Sequence, residues 1–355
     1  GYLLRGMRVM ILGMGGYLGW PLALKLAKLG CQVFGIDNML RRELVAERGA
    51  QSVLPIGSMQ ERIESARELL GVEIDFRPID LCDREEFFAY VEEVKPEAFV
   101  QYAEIPSAPY SMASVETATK TIYNNNIGTL NLMFAMRDYA PEASMIKLGT
   151  MGEYGSPLTG RPLFEGLFPG DAVLQHGDDE WSLGGELVPR DPVSFYHVSK
   201  VQGTFTMYES CKYWWLRGID VMQGVVYGLH TPELMTDPSL NTRFDIDEWW
   251  GTVINRFVAQ AVVGAPLTIF GSGNQIRGYI TVADAMQCMI RLLASPPEPG
   301  QYEVVNQVTD VLSVRELAQT VARIGRDEFD LTPTIQRIEN PRVEAEEHPY
   351  EVIHE

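Results

Sequence analysis

A tyrosine and a lysine stand four residues apart in Tyr196-His-Val-Ser-Lys200. On a helix that spacing puts both side chains on one face. An ammonium beside a phenol lowers the phenol's pKa, so Tyr196 can exchange a proton with a sugar hydroxyl near neutral pH. Thr150 closes the strand-like run Met145 to Gly149, where its hydroxyl can donate to the same oxygen. A second constellation lies near the start. Gly13-Met-Gly-Gly16-Tyr17-Leu18-Gly19 places G-x-x-G-x-x-G between a strand-like and a helix-like segment. Missing side chains let that backbone turn sharply and approach a pyrophosphate, and the helix N-terminus offers free N–H donors. Asp37 ends the next β-rich run, followed by Asn38 and Arg41. A carboxylate there accepts from an adenosine ribose and repels a 2′-phosphate, which favours NAD over NADP. Arg41 and Arg42 argue the other way, because arginines can hold that phosphate. Asp80-Leu81 can reach the adenine edge.

These residues need strands and helices in alternation, and the pattern supplies them. Apolar runs at Arg8 to Gly13, Gln32 to Ile36, Glu73 to Pro78, Ala98 to Tyr102, Ser144 to Leu148 and Val221 to Val226 read as strands. Helical spacing predicts helices at Pro21 to Leu29, Glu61 to Leu70 and Arg84 to Val94. Alternation of this kind implies right-handed crossovers and a parallel sheet covered on both faces. The predicted class is α/β: a Rossmann-type doubly wound parallel sheet over 1–228, interrupted near 156–192 by an irregular Gly/Pro/Asp-rich insertion. A smaller, mostly helical substrate-covering region is expected over 229–355, with helices at Asp247 to Val263, Val282 to Ala294 and Ser313 to Ile324. Its chain can cross back to the sheet. The last ~15 residues receive no assigned structure, and Met7 reads as a natural initiator.

Composition narrows the partners. The 355 residues carry a net charge of −19, which argues against nucleic acid and anionic membranes as partners. Any diphosphate site must then be built from local basic residues and helix N-termini. No apolar run approaches the ~18 residues of a membrane span. Cys31, Cys82, Cys211 and Cys288 are scattered without metal spacing and read as reduced thiols of a cytoplasmic protein. Glu344, Glu346 and Glu347 read as a solvated turn, so no metal is expected.

The longer words narrow the family. Gly19-Trp20, Ser107-Ala-Pro-Tyr-Ser-Met112, Lys147-Leu-Gly-Thr-Met-Gly-Glu-Tyr-Gly155 and Phe195-Tyr-His-Val-Ser-Lys200 are four of them. Gln223-Gly-Val-Val-Tyr-Gly228, Gly251-Thr-Val-Ile-Asn-Arg256, Gln275-Ile-Arg-Gly-Tyr279 and Asn340-Pro-Arg-Val-Glu-Ala-Glu-Glu-His348 are four more. Together they resemble the UDP-sulfoquinovose synthases, a branch of the extended short-chain dehydrogenase/reductases, over most of the chain. The resemblance implies a tightly bound, recycled NAD and a UDP-sugar substrate. It also implies a reaction sequence: oxidation at C4 with Tyr196 as base, water loss across C5 and C6, sulfite addition at C6, and re-reduction at C4. Thr150, Tyr196, Lys200 and Glu153 are the expected catalytic residues. Asn125 takes the place of the family's structural asparagine beside the cofactor. Ser107, Met151, His197, Gln223, Arg256, Arg277 and Arg342 are expected around the sugar nucleotide, with Arg277 near the diphosphate. Ordinary sugar 4,6-dehydratases carry an Asp and a Glu directly after this threonine. Here Met151 and Gly152 stand there, and the carboxylate comes at Glu153.

Two positions depart from that pattern. The synthases carry Glu-Gln-Arg where this chain has Glu104-Ile105-Pro106, and threonine where it has Ile276. An arginine replaced by proline removes a charge and a forked donor from a place where sulfite could be held. His197 and Arg342 are then the remaining sources of cationic character. A 5,6-dehydratase or 4-epimerase without sulfite use stays open beside the synthase reading, with a non-catalytic NAD sensor further off. Such enzymes commonly pair through the helix bearing the tyrosine, so a homodimer is expected by analogy.

Overall fold

The computed structural model describes residues 4–155, 160–340 and 351–354. The chain begins β1 (Arg8–Leu12), α1 (Gly19–Lys28), β2 (Gln32–Ile36), α2 (Leu40–Glu47), α3 (Met59–Leu70) and β3 (Ile74–Arg77). It continues with α4 (Arg84–Val94), β4 (Ala98–Gln101), α5 (Ala108–Ala113), α6 (Val115–Tyr139) and β5 (Ser144–Thr150). The hairpin β6 (Val173–His176) and β7 (Asp179–Ser182) precedes α7 (Phe195–Trp214), β8 (Arg217–Gln223) and β9 (Val225–Tyr227). Then come α8 (Val253–Val263), β10 (Leu267–Phe270), β11 (Ile276–Thr281), α9 (Val282–Ala294) and β12 (Tyr302–Gln307). The last elements are β13 (Asp310–Ser313), α10 (Val314–Phe329) and β14 (Ile335–Ile338).

Seven strands form the central sheet in the order β12-β8-β5-β4-β1-β2-β3, every pairing parallel. A parallel sheet needs both faces covered, which is why its strands are apolar runs and not alternating ones. Val9, Met10, Ile11 and Leu12 of β1 are all fully buried. One core packs α1 and α9 against the sheet, and a second packs α4, α6 and α7 on the other face. Strand order reverses between β1 and β4, the place where ligands collect beyond the carboxyl ends of such sheets. Local chemistry sets the helix ends. Ser114 and Thr117 cap α6 reciprocally, Ser194 caps α7 from the His197 N–H, and Gly71 closes α3 in the left-handed region.

The three helices expected after 228 are present as α8, α9 and α10, and the region carries strands besides them. There β11 and β13 join β9, which ends at Tyr227, in a three-stranded sheet, and β10 pairs in parallel with β14; these strands pack with α8 and α10 around their own apolar cluster. The chain also returns to the central sheet as β12, beside β8. The run Val221 to Val226 is two strands, because β8 ends at Gln223 and β9 leaves the sheet to pair with β11. Helix α8 begins six residues later than the pattern predicts. Asp247 accepts from the Trp249 and Trp250 N–H groups, so the chain turns there before the helix starts. Among the described residues no helix is long and apolar enough to cross a membrane.

Candidate active site

A cleft of about 730 Å³ opens at the switch point and runs into the region after 228. Its lining brings together Gly13, Gly16, Tyr17, Leu18, Gly19, Asp37, Asn38, Arg41, Asp80 and Leu81. The same lining holds Ser107, Thr150, Met151, Tyr196, His197, Gln223, Arg256 and Arg277. Lys200, Asn125 and Glu153 are not in it. Arg342 and the acidic run Glu344, Glu346 and Glu347 lie outside the described residues.

The glycine loop is shaped by close approach. Gly13 has φ +86°, and a Cβ there would stand 2.8 Å from the Tyr102 carbonyl carbon. At Gly16 the nearest heavy atom to a Cβ is 3.6 Å away, so that position is a cradle that only a side chain would fill. The Asp37 carboxylate accepts from the Gly15 N–H at 2.8 Å and from the Met39 N–H at 2.7 Å, which ties the acid to the loop. These features fit a dinucleotide: a pyrophosphate against Gly16 and the N-terminus of α1, and a ribose at Asp37. The two arginines after Asp37 are already engaged. Arg41 pairs with Asp245 at 3.0 Å and stacks on Trp250, and Arg42 donates to the Gly57 carbonyl. Arg41 is thus tied to Asp245, and the carboxylate of Asp37 at the ribose end fits NAD.

Tyr196 and Lys200 share one face of α7, with Tyr196 in the cleft and Lys200 just behind it. Lys200 Nζ is held by the Glu104 carboxylate and by the Leu148 carbonyl at 2.7 Å. The expected lowering of the tyrosine pKa is therefore not what the structure gives. Burial, followed by the charges of Glu104 and Glu153, pushes the Tyr196 phenol above its ordinary value. Glu104 is a cleft residue that the sequence reading treated only as part of a word. It is both the partner of Lys200 and an acid facing the cleft.

Asn125 is a clamp. It accepts from the Ile105 N–H at 2.8 Å, donates to the Ile105 carbonyl at 3.2 Å and donates to Ser199 at 3.0 Å. The loop that departs from the family pattern is thus pinned to α7. The Ile105 side chain is buried with Leu44, Val45, Tyr110 and Trp250, so it serves packing, while Pro106 lines the cleft. Ser107 spends its hydroxyl on the Trp249 carbonyl and on capping α5. Gln223 donates to Gln307 at 2.6 Å. Arg256 donates to the Thr268 carbonyl and lies over Phe270, and Arg277 faces the cleft from β11.

His197 corrects a further expectation. Its Nδ1 is bonded to Ser194 Oγ at 2.8 Å, and its ring packs onto Gly152, where a Cβ would lie inside the imidazole. Burial, then the nearby charges of Arg277 and Lys200, pushes its pKa down to about 4. It is neutral at pH 7 and supplies no cationic charge to the cleft. In an NMR titration the His197 ring signals are expected to stay unprotonated from about pH 8 down to about pH 5, in contrast to an exposed histidine near 6.5. A midpoint above 6 contradicts this.

Glu153 is placed away from the cleft. It is fully buried behind the strand end, where its Oε2 accepts from the Thr150 N–H at 3.2 Å. Its Oε1 lies 2.8 Å from Thr204 Oγ1. Around it sit residues that the sequence reading passed over: Lys147, Asp220, Thr204, Arg190 and Tyr302. A signal existed, since Lys147 and Asp220 are charges inside apolar strand runs, and they prove to be register partners.

A Rossmann sheet with a Tyr-Lys face beside a glycine-loop cleft defines a dinucleotide-dependent enzyme class. The chain belongs to the NAD dependent epimerase/dehydratase family, whose sequence profile it matches over residues 9–306. Within that family it is 42% identical to the UDP-sulfoquinovose synthase of Sulfolobus acidocaldarius, over 97% of this chain and 85% of that one. It is 40% identical to the chloroplastic UDP-sulfoquinovose synthase of Spinacia oleracea, over 98% of this chain and 70% of that one. In fold it is similar to the UDP-glucose 4-epimerase of Thermotoga maritima, with a TM-score of 0.70, 18% identity, and 98% and 90% of the two chains covered.

Proposed function

We propose that this chain converts UDP-glucose and sulfite to UDP-sulfoquinovose through a 4-keto sugar. The observation that carries the reading is the single cleft that joins the Asp37 end, Thr150 with Tyr196, and Arg277. When bound, NAD supplies the hydride acceptor for C4 and gives the hydride back at the end. Tyr196 takes the proton of the C4 hydroxyl while Thr150 donates to the same oxygen. Lys200 stands behind them with a charge that Glu104 offsets. The ketone acidifies the C5 proton, for which Glu104 and His197 are the candidate acceptors facing the cleft. Hydroxide leaves C6 with a proton, and sulfite adds to C6 as C5 is reprotonated. Arg256 and Arg277 hold the diphosphate, and Asp37, Asn38, Asp80 and Leu81 the adenosine. Met151 and Gly152 offer no acid or base, which separates this site from that of an ordinary 4,6-dehydratase.

Because oxidation and reduction cancel, the cofactor stays bound from turnover to turnover. Denaturing the purified protein is expected to release NAD(H). Adding UDP-glucose alone is expected to raise the absorbance of bound NADH. Release of NADP only, or a stoichiometric need for external NAD⁺, counts against the reading. Exposed apolar side chains on α6 and α7, among them Tyr123, Leu130, Phe205 and Tyr213, support a homodimer through those helices. The four free thiols support a reducing, cytoplasmic setting.

A further inference from the structure

We infer that Glu153 is a protonated positioning residue: its carboxyl joins the strand end bearing Thr150 to the helix bearing Tyr196 and Lys200, and does not itself meet the sugar.

The argument begins with one hydroxyl. Thr204 Oγ1 lies 2.8 Å from Glu153 Oε1 and 2.6 Å from Asp220 Oδ2, both at hydrogen-bond distance. A threonine hydroxyl has one proton to donate. If it donates to one carboxylate, the other must bring a proton of its own, or two oxygens face each other with lone pairs only. The surroundings decide which acid is protonated. Asp220 Oδ2 also accepts from Tyr302 OH at 2.9 Å, and its Oδ1 stands 3.1 Å from Lys147 Nζ. Glu153 has only the Thr150 N–H at 3.2 Å as a donor. Two cations face it: Lys147, whose ammonium is drawn to Asp220, and Arg190, which stands 3.9 Å away, beyond a hydrogen bond, with its guanidinium over the Tyr154 ring and bonded to the Val188 carbonyl. The proton therefore belongs on Glu153 Oε1. The relay reads Glu153 to Thr204 to Asp220, with Asp220 ionised against Lys147. Complete burial of Glu153 pushes its carboxyl in the same direction, above the usual range.

The consequence is positional. Tyr196, Lys200 and Thr204 form one row on α7 at intervals of four, so the third member of the catalytic row is the one Glu153 holds. The other oxygen of the same carboxyl holds the Thr150 backbone. Gly149 leaves room for this, since a Cβ there would stand 3.0 Å from Asp220 Oδ1 and closer still to Glu153. One neutral side chain thus sets the separation of the two groups that share the C4 oxygen.

The test uses the full chain with its bound cofactor. The wild-type-minus-E153Q infrared difference is expected to show the C=O stretch of a protonated carboxylic acid, and T204V is expected to shift that band. Glutamine reproduces the neutral acid, with an amide donor to Thr204 and an oxygen for Thr150. Reduction of bound cofactor by UDP-glucose in E153Q is therefore expected within about threefold of wild type. E153A and T204V are expected to fall about 10- to 100-fold in kcat with KM little changed, the scale of a misplaced catalytic group. Absence of the acid band, or E153Q as slow as E153A, overturns the inference and returns Glu153 to the chemistry. The inference rests on the proposed redox step only for its rate arm. A wild type whose cofactor stays oxidised with UDP-glucose refutes the proposed function, while the infrared band still decides the protonation of Glu153.

Discussion

Replacing Tyr196 by phenylalanine is expected to slow the reduction of bound cofactor by UDP-glucose by about 10²-fold or more, the range for a positioned acid–base group. The hydroxyl is the group that links Thr150 and the cleft to proton transfer at C4. The structure adds a pH signature. Burial holds the phenol protonated well above neutrality, so the base form is a minor species at pH 7. The wild-type rate should climb with pH through roughly pH 6 to 9 and be flat in the variant. NADH formation at an unchanged rate in Tyr196→Phe shows that another group, Glu104 first among them, is the base.

The second large effect is expected at Gly19, at the start of α1. A Cβ there would stand 2.9 Å from Met14 Cα and well inside contact distance of the Gly13 carbonyl oxygen. Both are backbone atoms of the same loop, so neither can swing aside. Gly19→Ala must push the helix off the loop, at a cost of about 1–3 kcal/mol, typical of overpacking. The purified variant is expected to melt earlier and to release little NAD on denaturation. Gly16→Ala provides the contrast. Its Cβ meets nothing nearer than 3.6 Å within the protein, so its melting temperature is expected to hold while NAD is lost from the cradle. Full NAD content in both variants would remove the loop from the cofactor site.

The glycine loop, Asp37 and the Tyr-Lys face were legible because each is a local pattern: a turn needing absent side chains, an acid at a strand end, a spacing on one helix. The β1-to-β5 alternation was legible for the same reason, since parallel buried strands are apolar runs. What escaped depends on residues far apart in sequence. Nothing local in Lys147 or Asp220 says that they pair across β5 and β8, or that Glu153 turns inward to meet Thr204 and not outward to the sugar. Glu104 offset the Lys200 charge from 96 positions away. The strands β11 and β13 read as connections because their runs are short and their partners are distant, and β9 reads as the end of β8 because nothing local marks where it leaves the sheet. Asp247 imitated a helix start through an Asx turn.

The departure at Ile105 and Pro106 bears on the last step of the proposed reaction. The loop is fixed in place by Asn125, His197 is neutral, and the arginine of the family pattern is absent. Sulfite addition is therefore the claim most open to contradiction. The direct measurement is to incubate the enzyme with UDP-glucose in deuterated water, with and without sulfite, and to analyse the sugar nucleotide by mass spectrometry and NMR. The account predicts a product that has gained sulfite and lost water at C6, carries deuterium at C5, and keeps its C4 configuration. A C4-inverted sugar without deuterium at C5 and without sulfur, whether or not sulfite is present, would contradict it.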